Sequence, residues 1–185
     1  MGYYYHPIHG LHQGDPIGGA ESTTLTESEF IQLTEERAAQ ESAQAAQAEA
    51  DRIAATPIAV LAQAKLGEIR AARRAIEHGG VTLDDVRYES DPTARAKYVE
   101  TNQLFLIQPT MEIPGWKASD DPVTGLGIYV TMTPAVMASL IVLAAQLDGQ
   151  AFAWEAGKQA EVATALALED EAAAKAALIA IQVSV

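Results

Sequence analysis

Ala39, Ala43, Ala46, Ala50 and Ile53 recur at alternating spacings of four and three, in a stretch otherwise made of Ala, Gln and Glu. On an α-helix that spacing draws one narrow stripe of small residues, along which a second helix can approach closely. The neighbours Gln40, Glu41, Gln44, Gln47 and Glu49 leave little other apolar surface, so the stretch reads as a helix that pairs with another helix. An amphipathic helix lying on its own domain is the alternative reading. The whole chain leans the same way. Alanine dominates an apolar fraction of 49%, while aromatic residues supply only 6%. An alanine methyl removes far less area from water than Leu or Phe. A chain of 185 residues built like this is expected to complete its core with another chain.

Local signals divide the sequence. Residues 1–25 are rich in Tyr, Gly, His and Pro, with Gly18-Gly19 as a turn signal, and predict a strand or hairpin arm. Thr26 followed by Glu29 is a capping box, which predicts a helix to Ala55. Thr56-Pro57 reads as a cap with proline at the first helical position, opening a helix to Glu77 that buries Ala62, Leu66, Ile69 and Ile76. Lys65, Arg70, Arg73 and Arg74 on that helix read as a solvated face complementing the helix dipole, with a binding patch as the sharper alternative. Gly79-Gly80 ends it. Val81–Leu83 and Val86–Tyr88 flank Asp84-Asp85 as a tiny hairpin, in which Asp85 stands where the turn prefers glycine.

Asp91-Pro92 starts a helix to Ile107. Residues 108–124 predict a loop with a strand at Gly115–Ala118, paired with Gly127–Met132. Thr133-Pro134 opens a last helical segment with a seam at Val136, Leu140, Leu143 and Leu147. Gly149 and Gly157 are expected to bend or divide it, since each costs up to about 1 kcal/mol relative to Ala. The apolar end, residues 178–185, is expected to be docked rather than free. The segments are therefore 1–25, 26–56, 57–133 and 134–185. The fold class is α+β, predominantly α, with long Ala-rich helices and small β-hairpins, partly extended and completed by partner chains.

The chemistry points to binding rather than catalysis. A net charge of −13 disfavours nucleic acid and anionic membrane as partners. There is no cysteine, which removes disulfides and thiolate metal sites. Met1–His6 has neither the basic nor the apolar part of a signal peptide, and the apolar run at Ala135–Ala145 is too short to span a bilayer. His6, His9 and His12, with Asp15 beyond, contain metal-binding groups, but their spacing fits neither one helix face nor alternate strand positions. They read as surface or hairpin histidines. Asp84-Asp85, Asp120-Asp121 and Glu169-Asp170-Glu171 lie in turns or solvated helix, and Gly125-Leu126-Gly127 lacks the rest of a phosphate loop. No enzyme activity, cofactor or metal is expected. Trp116 and Tyr129 are expected in the core. Phe152 and Trp154 are expected at an interface, together with Leu178 and Ile181 of the apolar end.

One resemblance gives this reading a direction. Ile69-Arg70, Ile76 to Val81, Val86-Arg87-Tyr88, Asp91, Gly115 to Asp120, Tyr129 to Met132 and Phe152 to Glu155 run in the order of a phage-tail domain family. That family occurs alone or fused to tail-fibre assembly proteins. Ile8-His9-Gly10, Asp15-Pro16-Ile17, Ala20, Leu25 to Phe30 and Leu33 are similar to the start of caudoviral tail-fibre assembly proteins. The resemblance departs at the N-terminal turn, where Asp15 precedes Pro16-Ile17, at Asp85, and in a longer loop at 119–127. It implies a chaperone-like protein that helps a tail-fibre polypeptide trimerise and binds its distal end. The expected partner is then a phage tail-fibre protein, within a homo- or hetero-oligomer. The expected place is the host cytoplasm during assembly, with retention on the virion tail left open. A static tail or fibre adaptor that oligomerises through its helices is the alternative.

Overall fold

In the computed structural model, residues 2–6, 10–14 and 23–184 are described, without the side chains of His6 and His12. The reading of His6, His9 and His12 as metal donors or surface histidines therefore lies outside the described residues. Among the described residues the fold is α+β and predominantly α, with five helices and three small antiparallel sheets. The chain forms two compact units, residues 1–56 and 57–185.

The first unit begins with strands β1 (Gly2–His6), β2 (Gly10–Gly14) and β3 (Thr23–Leu25), in the order β2-β1-β3. The N-terminal arm is thus a three-stranded sheet, with Tyr4 opposite both His12 and Thr24. Helix α1 (Glu27–Ala55) follows at once. Its capping box is formed: Thr26 Oγ1 accepts from the Glu29 N–H at 3.2 Å, and the Glu29 carboxylate accepts from the Thr26 N–H at 2.8 Å. The bond from the Thr26 N–H, with a second donated by the Thr26 hydroxyl at 2.7 Å, holds the Glu29 carboxyl below its usual range. The tilted rings of Tyr3 and Phe30, 4.7 Å apart, seat the start of the helix on the sheet.

Thr56 corrects the sequence reading. It caps the end of α1 instead of the start of the next helix, because its hydroxyl donates back to the Arg52 carbonyl at 2.7 Å. Helix α2 (Ile58–Glu77) has Pro57 as its N-cap and no side-chain cap bond. The second unit continues with hairpin β4 (Val81–Leu83) and β5 (Val86–Tyr88), α3 (Pro92–Ile107), hairpin β6 (Ile113–Asp120) and β7 (Gly127–Met132), then α4 (Pro134–Leu166) and α5 (Glu171–Ala180). β6 is longer than the expected 115–118 and carries irregularities near Gly115 and Ala118.

The β4–β5 turn places Asp84 at φ 51° and Asp85 at φ 62°, the left-handed pair of a two-residue hairpin. A side chain there carries a cost that glycine does not. Asp85→Gly is expected to stabilise the protein by about 1 kcal/mol, slightly offset by the extra freedom of glycine when unfolded. Thermal melting checks this, and an unchanged or lower midpoint would contradict it.

Two hydrophobic clusters hold the second unit. The first gathers Val81, Tyr88, Tyr98, Phe105, Met132, Met137 and Leu140, with Trp116 packed against it. The second gathers Ala62, Ile69, Val162, Ala165, Leu178 and Ile181, with Leu66 and Trp154 against it. Tyr129, expected in the core, is 64% exposed, because strand alternation puts it on the outer face of the β6–β7 ribbon. The helix also divides elsewhere than expected. α4 runs through Gly149 and Gly157 without a break and stops at Leu166, after which Asp170 caps α5 by accepting from the Ala172 N–H at 2.9 Å.

A buried polar knot ties these elements together. Ser90, fully buried, donates to the Glu77 carbonyl at 2.6 Å and accepts from the Gly80 N–H at 2.9 Å. Arg95 donates to the carbonyls of Ser90 and Glu77 and pairs with Asp148 of α4. Burial, with Glu89 nearby, pushes the Tyr98 hydroxyl up to about 12. A phenol with a folded pKa above its unfolded value holds more protons when folded. Its contribution is complete below pH about 10 and is lost between about 10 and 12, by roughly 2 kcal/mol. Urea unfolding across that range checks this against Tyr98→Phe, which should lose the slope.

Candidate interaction surfaces

The Ala seam of α1 can be followed residue by residue. Ala39, Ala43, Ala46 and Ala50 are exposed, Ile53 is half-buried, and α1 contains no buried residue at all. Its polar side chains are largely satisfied along the helix itself. Arg37 pairs with Glu41 at 2.8 Å, Arg52 with Glu49 at 2.6 Å, and Gln47 donates to Asp51 at 2.8 Å. Such exposed pairs are screened by water and add little to stability. They organise the flanks and leave the methyl groups of the seam uncovered. Nearer its start, α1 and the sheet enclose a groove of about 320 Å³, lined by Tyr5, Leu11, Leu33 and Arg37.

In the second unit, Phe152 on α4 is 55% exposed. The Arg73 guanidinium of α2 lies 4.8 Å from its ring centroid, within cation–π range. Arg73 also pairs with Glu77 and sits 2.7 Å from the Glu155 carboxylate, without hydrogen-bond alignment at its Nε. The ring is thus fixed on one side and open on the other. The sequence alone places Arg73 on a solvated cationic face, with a binding patch as the alternative. The residues that engage it, Glu155 and Phe152, lie some 80 positions further along and meet it only through the α2–α4 packing.

Three other expected interface residues are corrected. Trp154 is half-buried against the second cluster, so it packs the chain's own core. Leu178 is 1% exposed and Ile181 is buried in the same cluster. The apolar end is docked as expected, with Leu178 and Ile181 packed in the cluster with residues of α2 and α4, while Ile179 stays 45% exposed.

A cleft of about 290 Å³ lies between α3 and β6, with Tyr98 and Trp116 among its walls and their rings 6.4 Å apart. Two of its charged groups have structural employment. Asp91 caps α3 by accepting from the Ala94 N–H at 2.9 Å, and Lys117 pairs with Asp120 at 2.8 Å, which raises the Lys117 pKa.

Residues 60–180 match the family described as "Domain of unknown function (DUF4376)". No curated protein and no solved structure matches the chain.

Proposed function

We propose a function for a chain that belongs to the DUF4376 family: it acts at a bacteriophage tail fibre, assisting folding and trimerisation of the fibre polypeptide and binding its distal end. The observation that carries this reading is α1. This helix of 29 residues, with none of them buried, packs on the sheet near its start, and the seam from Ala39 to Ala50 is left exposed. Most helices in folded proteins are held by burying an apolar face. Here that face is an Ala seam with a seven-residue period, suited to the close approach of a partner helix.

The resemblance of the motifs between Ile69 and Glu155 to a phage-tail domain family, and of the N-terminus to tail-fibre assembly proteins, supports a fibre polypeptide as that partner. The acidic character of the chain, at −13, suits a protein partner with basic patches. Residues 57–185 form a separate compact unit with two hydrophobic clusters of its own, which leaves the seam outside that core.

Quantitative mass spectrometry of gradient-purified particles tests the mode of action. An assembly factor is expected to be absent or substoichiometric to the fibre, while fibre yield falls when the chain is deleted. A fixed copy number, with fibres forming normally in its absence, would replace this reading with that of a static adaptor.

A further inference from the structure

Strand β6 keeps one edge open. It pairs with β7 alone, and across its other edge its backbone receives a single bond, from the Glu89 N–H to the Ala118 carbonyl at 3.0 Å. Trp116 opposite Val130 and Lys117 opposite Tyr129 are consecutive pairs of an antiparallel ladder. Of two consecutive pairs, one exchanges both its hydrogen bonds and the other turns N–H and C=O away from the partner strand. One of these two residues therefore offers both backbone groups to the outer edge. Among the described residues no backbone group bonds them there.

That edge forms one wall of the cleft facing α3. Residues 115–118 of β6 line one side, and Thr93, Lys97 and Tyr98 of α3 line the other. The chain itself lays the first rung of a further strand. Glu89 follows β5 and its backbone reaches Ala118, after which Ser90 and Asp91 lead the chain away into α3. The cleft lies where the next rungs would go. Pro114 has no N–H and closes the edge at its far end.

We infer that this cleft binds an extended peptide segment of a partner polypeptide, added as a strand to the free edge of β6. The backbone selects the occupant. Unpaired N–H and C=O groups on a strand edge are matched by another extended backbone, whereas a helix has already spent its own groups internally. Residues 115–118 cover about 14 Å at about 3.4 Å per residue, the length of a segment of four or five residues.

The side chains of the cleft set the rest of its chemistry. The rings of Tyr98 and Trp116, 6.4 Å apart in its walls, favour an apolar residue at the centre of the segment. The walls carry two carboxylates, Glu89 and Asp91, and two ammonium groups, Lys97 and Lys117, so the cleft is balanced in charge within a chain of −13. Asp91 caps α3 and Lys117 pairs with Asp120. Glu89 and Lys97 are exposed, and their side chains form no ion pair among the described residues. A segment with one residue of each sign flanking the apolar one matches both.

Amide NMR of the full chain, titrated with the blocked heptapeptides Thr-Lys-Thr-Val-Thr-Glu-Thr and Thr-Glu-Thr-Val-Thr-Lys-Thr, reads the binding and the strand direction. The better of the two is expected to half-saturate below about 1 mM and to shift residues 93–98 and 115–118. A strand carries alternate N–H groups on its two edges. Methylating one alternate set in the peptide is expected to weaken binding at least about tenfold, and methylating the other to change it by less than about twofold. Lys97→Glu is expected to weaken it about fivefold with an unchanged melting temperature, and a peptide with Lys in place of its Glu restores it.

No shift at residues 115–118 with either peptide at about 5 mM would overturn the inference. So would an equal effect of the two methylated sets, because pairing along one edge would then be absent. Binding of N-acetylvaline methylamide as tight as that of the heptapeptide would also overturn it, since the cleft would then hold a small molecule. The cleft lies within residues 57–185 and the fibre reading rests on α1, so either can fail without the other.

Discussion

Leu178→Asp is expected to destabilise residues 57–185 by about 4 kcal/mol. Leu178 is 1% exposed and packs in the cluster that joins α2, α4 and α5. The substitution removes most of a buried leucine, worth about 2–5 kcal/mol in a rigid core, and adds a carboxyl with no partner. A domain stabilised by 5–15 kcal/mol in total loses much of its margin. The neighbouring Ile179 is 45% exposed, so Ile179→Asp is expected to change stability by less than about 1 kcal/mol. Urea unfolding of the two variants separates the accounts. If both were equally mild, the apolar end would not be docked as the structure places it. If both were equally severe, the terminal helix would be buried all round.

Ala46→Glu is expected to leave the fold intact and to weaken binding of the fibre polypeptide about 100-fold. Ala46 is exposed and α1 has no buried residue, so the glutamate meets only solvent in the free chain. It becomes costly when a partner helix closes over the seam, because a charge is then trapped between close-packed backbones. Gln44→Glu, away from the stripe, introduces the same charge and is expected to bind as the wild type does. Equal binding by both variants, with equal melting temperatures, would remove the seam from the account.

Much of this architecture is written in local signals. Thr26 and Glu29, Asp91-Pro92 and Thr133-Pro134 mark helix starts that form as read, because capping depends on residues three apart and needs no distant partner. Thr56-Pro57 carries the same kind of signal and misleads. A threonine hydroxyl can serve the helix ahead or return to the carbonyl four residues behind, and only the packed structure decides.

Gly149 misleads for an energetic reason. Its cost of about 1 kcal/mol is outweighed by the buried Met137, Leu140, Ala144, Ala151 and Val162, and α4 continues through it unbroken. The true break follows Leu166, and its one local sign was Asp170, an N-cap residue hidden in an acidic run. The Ser90–Arg95–Asp148 knot and the Arg73–Glu155 pair could not be read in advance. Each joins residues brought together by helix packing, and a charge in sequence does not say which opposite charge it will face.

The seam itself was legible as a pattern, and its exposure was not. Spacing shows that small residues share a face but not whether the chain covers them. Trp154, Leu178 and Ile181 show the other outcome, in which residues with the composition of an interface turn inward and pack the chain's own core.

Co-expression of the fibre polypeptide with and without this chain, followed by affinity capture on the chain, tests the central claim most directly. The account predicts that the fibre co-purifies with the wild type, fails to do so with Ala46→Glu, and yields more soluble trimer when the wild type is present. A fibre that reaches the same trimer yield alone, and is captured by neither form, would contradict it.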